Sequence, residues 1–125
     1  MTRPHARALG SLLVSVAVIG GVAAFTACAD PSKGNPAQGK TIFTAKCIAC
    51  HKADGSGGVK LTGNPTPNWR DAKRMGDPKY NDDYLRDCIT NGKLKSGMVA
   101  WGKTGQIKPN QIEDLIAYIR TFSKK

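Results

Sequence analysis

Histidine is nearly absent from this chain: of 125 residues only His5 and His51 carry an imidazole, and none follows position 51. Acidic side chains are scarce as well, 9 Asp+Glu against 19 Lys+Arg, which leaves a formal net charge of +10. Aromatics make up 6% of the residues, and no basic stretch alternates with them in the way base stacking requires. Nucleic acid is therefore not an expected partner. No segment keeps up the apolar/polar alternation of a half-buried strand, so helix and loop are expected throughout the folded part. Charge-free apolar sequence is confined to one run, Ala8 to Ala27.

Against this background the pentapeptide Cys47-Ile48-Ala49-Cys50-His51 stands out. Two thiols separated by two residues and followed directly by an imidazole mark covalent attachment of c-type haem. On one helical turn both sulfurs can form thioethers with the haem vinyl groups, while His51 is carried under the porphyrin to ligate the iron. Cys-x-x-Cys alone also suits a dithiol redox pair, a disulfide or half of a zinc site. Zinc needs two further ligands, and beyond residue 51 the chain offers Cys88 and no histidine. One haem c per chain is the expected cofactor.

Arg3, His5 and Arg7 precede the apolar run, a pattern that reads as an export signal over residues 1–27. Phe25-Thr26-Ala27-Cys28 resembles the lipobox of bacterial lipoproteins, which implies cleavage before Cys28 and acylation of that cysteine. Ordinary cleavage around Ala27-Cys28-Ala29 and retention of the run as a membrane anchor are the alternatives. All three place the folded part outside the cytoplasm, in the periplasm or at the outer face of a membrane, and the lipid-anchored form is the leading expectation. Loss of Arg3 and Arg7 with the leader leaves 17 basic and 9 acidic residues, a formal +8. Such an excess is either an ordinary solvated surface or a means of steering toward an acidic docking face on a redox partner.

The chain from Cys28 has 98 residues, enough for one small domain whose core the haem would help to fill. Residues 28–35 read as a tether and 36–125 as the domain. Asn35 and Pro36 suit the N-cap and first position of a helix reaching the Cys47 region, with Gly39, Phe43 and Cys47 on one face. Residues 53–67, rich in glycine and proline, read as a loop around the haem edge, with Trp69 as a packing anchor after it whose indole N–H is placed to serve a propionate. Asn81 caps a second helix that Asn91-Gly92 ends, with Cys88 on its apolar face as a small core residue. The last helix spans Pro109 to Phe122, its stripe of Ile112, Leu115, Ile116, Ile119 and Phe122 covering the first helix.

His51 fills one axial position, and the second has few candidates: Met75, Met98 or an open site. Met98, in Ser96-Gly97-Met98-Val99-Ala100-Trp101-Gly102, has glycines on either side that let backbone approach a porphyrin; Met75 lies in a charged turn. The order Gly39-x-x-x-Phe43-x-x-x-Cys47-x-x-Cys50-His51, then Ile89-Thr90-Asn91-Gly92, Gly97-Met98-Val99-Ala100-Trp101-Gly102 and Ile112-x-x-Leu115-Ile116-x-Tyr118-Ile119 resembles class I monohaem cytochromes c, especially bacterial c6-like and c-oxidase-associated domains. The resemblance covers residues 35–122. It implies an all-α cytochrome c fold of three to four helices wrapped around one haem, thioethers at Cys47 and Cys50, axial His51 and Met98, and terminal helices crossing near Gly39 and Tyr118. Val99 stands where the family has proline, and the carbonyl of Pro65 or Pro67 is expected to accept from the imidazole N–H of His51.

The function so implied is one-electron transfer in a respiratory or photosynthetic type of chain, without catalysis, with Lys46, Lys52, Lys93 and Lys95 around the haem edge. A small-ligand sensor or weak peroxidase with a labile Met98, and a haem subunit of a larger oxidoreductase complex, are the alternative expectations.

Overall fold

A computed structural model of the chain describes residues 33–124; the expected leader, Cys28 and most of the expected tether lie outside the described residues. Five α-helices follow in order: α1 (Pro36–Lys46), α2 (Ile48–His51), α3 (Ala72–Gly76), α4 (Asp82–Asn91) and α5 (Pro109–Ile119). Single 3-10 turns at Pro78–Tyr80, Leu94–Ser96 and Phe122–Lys124 complete the regular structure, and among the described residues no strand occurs beyond one isolated bridge between Lys93 and Met98. This is the all-α fold expected, built from three helices of two to three turns and two of about one turn. No helix among the described residues is long and apolar enough to cross a membrane.

Helix α1 starts where its caps direct. The Asn35 side chain accepts from the Ala37 N–H at 2.9 Å, and Pro36 occupies the first position, where a missing N–H costs nothing. The Asn35 N–H donates to the Asp114 carboxylate at 2.6 Å, so the last residue of the expected tether is already part of the domain. At Gly39 a Cβ atom would lie 1.9 Å from the Asp114 carbonyl oxygen and 2.9 Å from Tyr118 Cβ. Only glycine allows the two helices to touch backbone to backbone, which explains a residue of poor helix propensity inside α1. One turn on, Phe43 is 1% exposed and meets the rings of Tyr118, Phe122 and Trp69 at 5.3, 5.4 and 5.8 Å.

Helix α5 presents Ile112, Leu115, Ile116 and Ile119 to the core. It ends at Ile119 rather than at Phe122, because the chain tightens there: the Thr121 N–H bonds the Tyr118 carbonyl, three residues back, and Phe122 enters the core from a 3-10 turn. Helix α4 is capped by Asn81, whose side chain accepts from the Tyr84 N–H at 2.9 Å, and stops at Gly92. The Arg86 guanidinium grips Glu113 through two bonds of 2.6 and 2.9 Å, tying α4 to α5.

Helix α3 has no counterpart among the expected elements. Asp71 caps it by accepting from the Arg74 N–H, and it carries Met75 into the core, 7% exposed. Met75 is thus core filling and lies outside the cleft described below. Arg120 fastens this region to α5, donating to the carbonyls of Met75 and Tyr80 at 2.8 and 2.7 Å and to Asp82 at 2.8 Å.

Candidate haem-binding site

Helix α1 runs straight into the Cys47–His51 turn. Cys47 ends α1 with its N–H on the Phe43 carbonyl, and its own carbonyl accepts from the N–H groups of Cys50 and His51 at 3.2 and 2.9 Å. Cys50 and His51 therefore sit one turn from Cys47. Lys52 then leaves the helix with φ at 58°, and the following loop folds back under the turn. The Thr66 hydroxyl donates to the Cys50 carbonyl at 2.8 Å, and the Trp69 N–H donates to the Gly55 carbonyl at 2.9 Å.

Met98 is presented by the segment after α4. Its N–H and carbonyl pair with those of Lys93, both at 3.1 Å, closing a small loop over the Leu94–Ser96 turn. Gly92 makes this possible: it has φ at 70°, and a Cβ there would lie 2.6 Å from the Met98 carbonyl oxygen. Further bonds from the Gly102 and Lys103 N–H groups to the Ile89 and Thr90 carbonyls fasten the segment to the end of α4.

Cys47, Cys50, His51 and Met98, drawn from these two segments, line one cleft that opens to solvent. Its remaining walls include Leu85, Ile89, Leu115 and Ile119, so the interior is apolar. Cys88, expected in the core, is half-buried and faces this cleft instead, because the apolar face of α4 divides between the α5 contact and the cleft wall.

The donor chemistry fits an iron porphyrin held by thioethers. His51 is 7% exposed, its Nδ1 has no hydrogen-bond partner, and burial pushes its pKa down to about 4, so the imidazole is neutral and available as a ligand. Burial, with help from neighbouring Cys50, pushes the Cys47 thiol up to about 11. A thioether sulfur at that position carries no charge to bury. Cys47 and Cys50 are not bridged to one another, and among the described residues no group of three His, Cys, Asp or Glu side chains is gathered as for a bare metal ion.

Two features went unsignalled in the sequence. Trp69, 7% exposed, lies face to face with the His51 imidazole, ring centroids 4.2 Å apart and planes 10° from parallel. Trp101 lines the cleft mouth with the Lys46 ammonium 5.2 Å above its ring. Both contacts join residues distant in the chain, and no local pattern announces them. Of the lysines expected at the edge, Lys46 and Lys93 line the cleft, with Lys93 also paired to Asp87 at 3.3 Å, while Lys52 and Lys95 are exposed.

Residues 34–119 match the family described as cytochrome c oxidase, cbb3-type, subunit III. Cytochrome c6 of Rippkaea orientalis is 36% identical over 86 residues, 69% of this chain and 69% of that protein. Cytochrome c6 of a Nostoc species is 34% identical over 105 residues, covering 82% and 86%. The cbb3-type cytochrome c oxidase subunit FixP of a Bradyrhizobium species is 34% identical over 90 residues, 70% of this chain but only 30% of that subunit, so the chain spans less than a third of it. With the haem-attachment pentapeptide on an all-α scaffold and a neutral imidazole facing an apolar cleft, these matches make the chain a member of the class I monohaem cytochromes c, whose cofactor is one covalently bound haem c per domain.

Proposed function

We propose that this chain is a one-electron carrier in a respiratory or photosynthetic type of chain, not an enzyme, with thioethers at Cys47 and Cys50 and axial ligation by His51 and Met98. The observation that carries this reading is the convergence of all four side chains on one apolar cleft from two separate segments. Bound there, haem c supplies an iron that holds one electron more or less between its ferrous and ferric states. His51 offers a neutral imidazole from a buried position. Met98 offers a soft, uncharged thioether from a loop braced by its pairing with Lys93, so the same donor is held in place in both redox states. The apolar walls keep water away and disfavour the extra charge of the oxidised form.

Met98→Ala tests the ligation. The oxidised wild type should show a far-red methionine-to-iron charge-transfer band that the variant loses, and the reduced wild type should refuse carbon monoxide while the variant binds it. A wild type that lacks the band and binds carbon monoxide would replace the carrier with a small-ligand sensor or weak peroxidase.

Redox proteins are the partners. The surplus of basic residues supports an acidic docking face on them, with Lys46 and Lys93 lining the cleft and Lys52 and Lys95 exposed beside the same two segments. The rate of electron exchange should then fall steeply with ionic strength. The apolar run ending at Cys28 supports export to the periplasm or the outer face of a membrane and anchoring by acyl chains on that cysteine. Mass spectrometry of the membrane fraction should find an acylated N-terminal Cys28; an unacylated start at Ala29 or Asp30 would overturn the anchor.

A further inference from the structure

Residues 57–66 form a strap that begins under the attachment turn and ends against the Met98 loop. Its base is pinned by Thr66, whose hydroxyl donates to the Cys50 carbonyl at 2.8 Å and accepts from the Val59 N–H at 3.0 Å. The Thr66 N–H bonds the Val59 carbonyl at 2.9 Å, and the Gly57 N–H bonds the His51 carbonyl at 3.2 Å. The tip, Leu61–Gly63, meets the turn just ahead of Met98. There the Thr62 hydroxyl donates to the Lys95 carbonyl at 3.0 Å, 33 positions away in the chain. Gly63 lets the two backbones touch, since a Cβ on it would lie 2.6 Å from the same carbonyl oxygen. Leu61 packs over Gly97, where φ is 81° and a Cβ would meet the leucine side chain at 3.0 Å. Leu61 and Gly97 are exposed and both line the cleft, so the two loops join at its rim.

We infer that Thr62 is a positioning residue for Met98: its bond to Lys95, seated on the Gly63 contact, clasps the Met98 loop to the attachment turn and keeps the thioether at the iron. The inference rests on the axial role of Met98 proposed above. The loop has little else to hold its outer side. Leu94 is 75% exposed and Val99 41%, so burial contributes little there. Gly97 adds backbone freedom on one side of Met98, and on the other Val99 stands where a proline would fix φ. A segment with few buried contacts opens locally at small free-energy cost, and a single tie to a fixed point then changes how often it opens. The fixed point is well chosen: through Thr66 the strap reaches Cys50, one of the two residues that would carry the porphyrin. Met98 is thus held relative to the residue that sets the position of its metal.

The experiment uses ferric holoproteins of wild type, Thr62→Val and Thr62→Ser, with imidazole as the entering ligand at saturating concentration, where departure of the Met98 sulfur sets the rate. Thr62→Val keeps the shape of the side chain and removes the donor. It should retain the far-red methionine band at rest yet bind imidazole about threefold to tenfold faster, the factor that one net hydrogen bond is worth. Thr62→Ser keeps the donor and should stay within about twofold of wild type. Hydrogen exchange at the Lys93 and Met98 N–H groups should quicken in the valine variant while the α1 amides stay unchanged, which separates opening of this loop from general destabilisation. A wild type that carries the band, with a valine variant no faster than the serine variant or with all amides quickened alike, overturns the clasp and leaves the ligation standing. A wild type without the band overturns both.

Discussion

Replacing Gly39 by alanine tests the geometry on which the site depends. In an isolated helix the change is favourable by about 1 kcal/mol. In this fold the new methyl would lie 1.9 Å from the Asp114 carbonyl oxygen, an atom of the α5 backbone that cannot rotate away. Restoring ordinary contact near 3.5 Å separates α1 from α5 by about 1.5 Å, and a gap of even 0.5–1 Å forfeits a quarter to a half of the dispersion attraction across it. A buried side chain makes some 40–60 contacts of about 0.1–0.2 kcal/mol, so a quarter of those of Phe43 alone amounts to about 1–3 kcal/mol. Tyr118 and Leu115 lose contacts in addition. With each of those two taken to lose as much as Phe43, the net loss after the gain in propensity is at least about 2 kcal/mol, a fall in Tm of about 8 °C or more for a domain of this size. Thermal unfolding of the two holoproteins, followed by far-UV circular dichroism, checks it. A variant that melts at or above the wild-type temperature would mean that propensity outweighs contact and that the helices are not in backbone contact at residue 39.

Arg120→Met strips two carbonyls and Asp82 of their shared donor and should cost about 2–3 kcal/mol; a urea midpoint unchanged from wild type would show that the clamp on α3 is dispensable. Asp54, Asp77 and Asp87 are each held below the usual carboxylate value, chiefly by hydrogen bonds from Ser56, the Lys79 N–H and Asn91 respectively. Because the unfolded chain takes up those protons first, their contribution is present above about pH 4 and lost as pH falls below it; urea midpoints at pH 7 and pH 3 should fall in that order, and a higher midpoint at pH 3 would contradict the assignment. Lys46→Glu should slow reduction by an acidic partner severalfold at low salt and little at high salt. Lys93→Glu should do less, since Lys93 already shares its charge with Asp87; equal effects from both would show that the ion pair does not screen it.

The sequence announces features that depend on near neighbours. Asn35-Pro36 and Asn81 cap helices because the groups they satisfy lie two or three residues on. The attachment turn is equally local, all its parts falling between Cys47 and His51. Features made by distant pairs are hidden. Ala72–Gly76 is a single turn capped locally by Asp71, and its tie to the rest of the fold comes from Arg120, 45 residues beyond Met75. Cys88 reads as core from its place on the apolar face of α4, yet half of that face borders the cleft. The stack of Trp69 on His51 spans a loop without periodicity, and composition does not signal it.

The bond between the Asn35 N–H and the Asp114 carboxylate joins residues 79 positions apart, and Gly39 meets the same stretch of α5. Synthesis proceeds from the N-terminus, so α1 waits for almost the whole chain before its partner exists. Without α5 the cleft lacks the wall that Leu115 and Ile119 supply, and the thiols of Cys47 and Cys50 are more open than in the finished fold. A fold that brings its two ends together therefore keeps open the interval in which its cofactor can be joined to it.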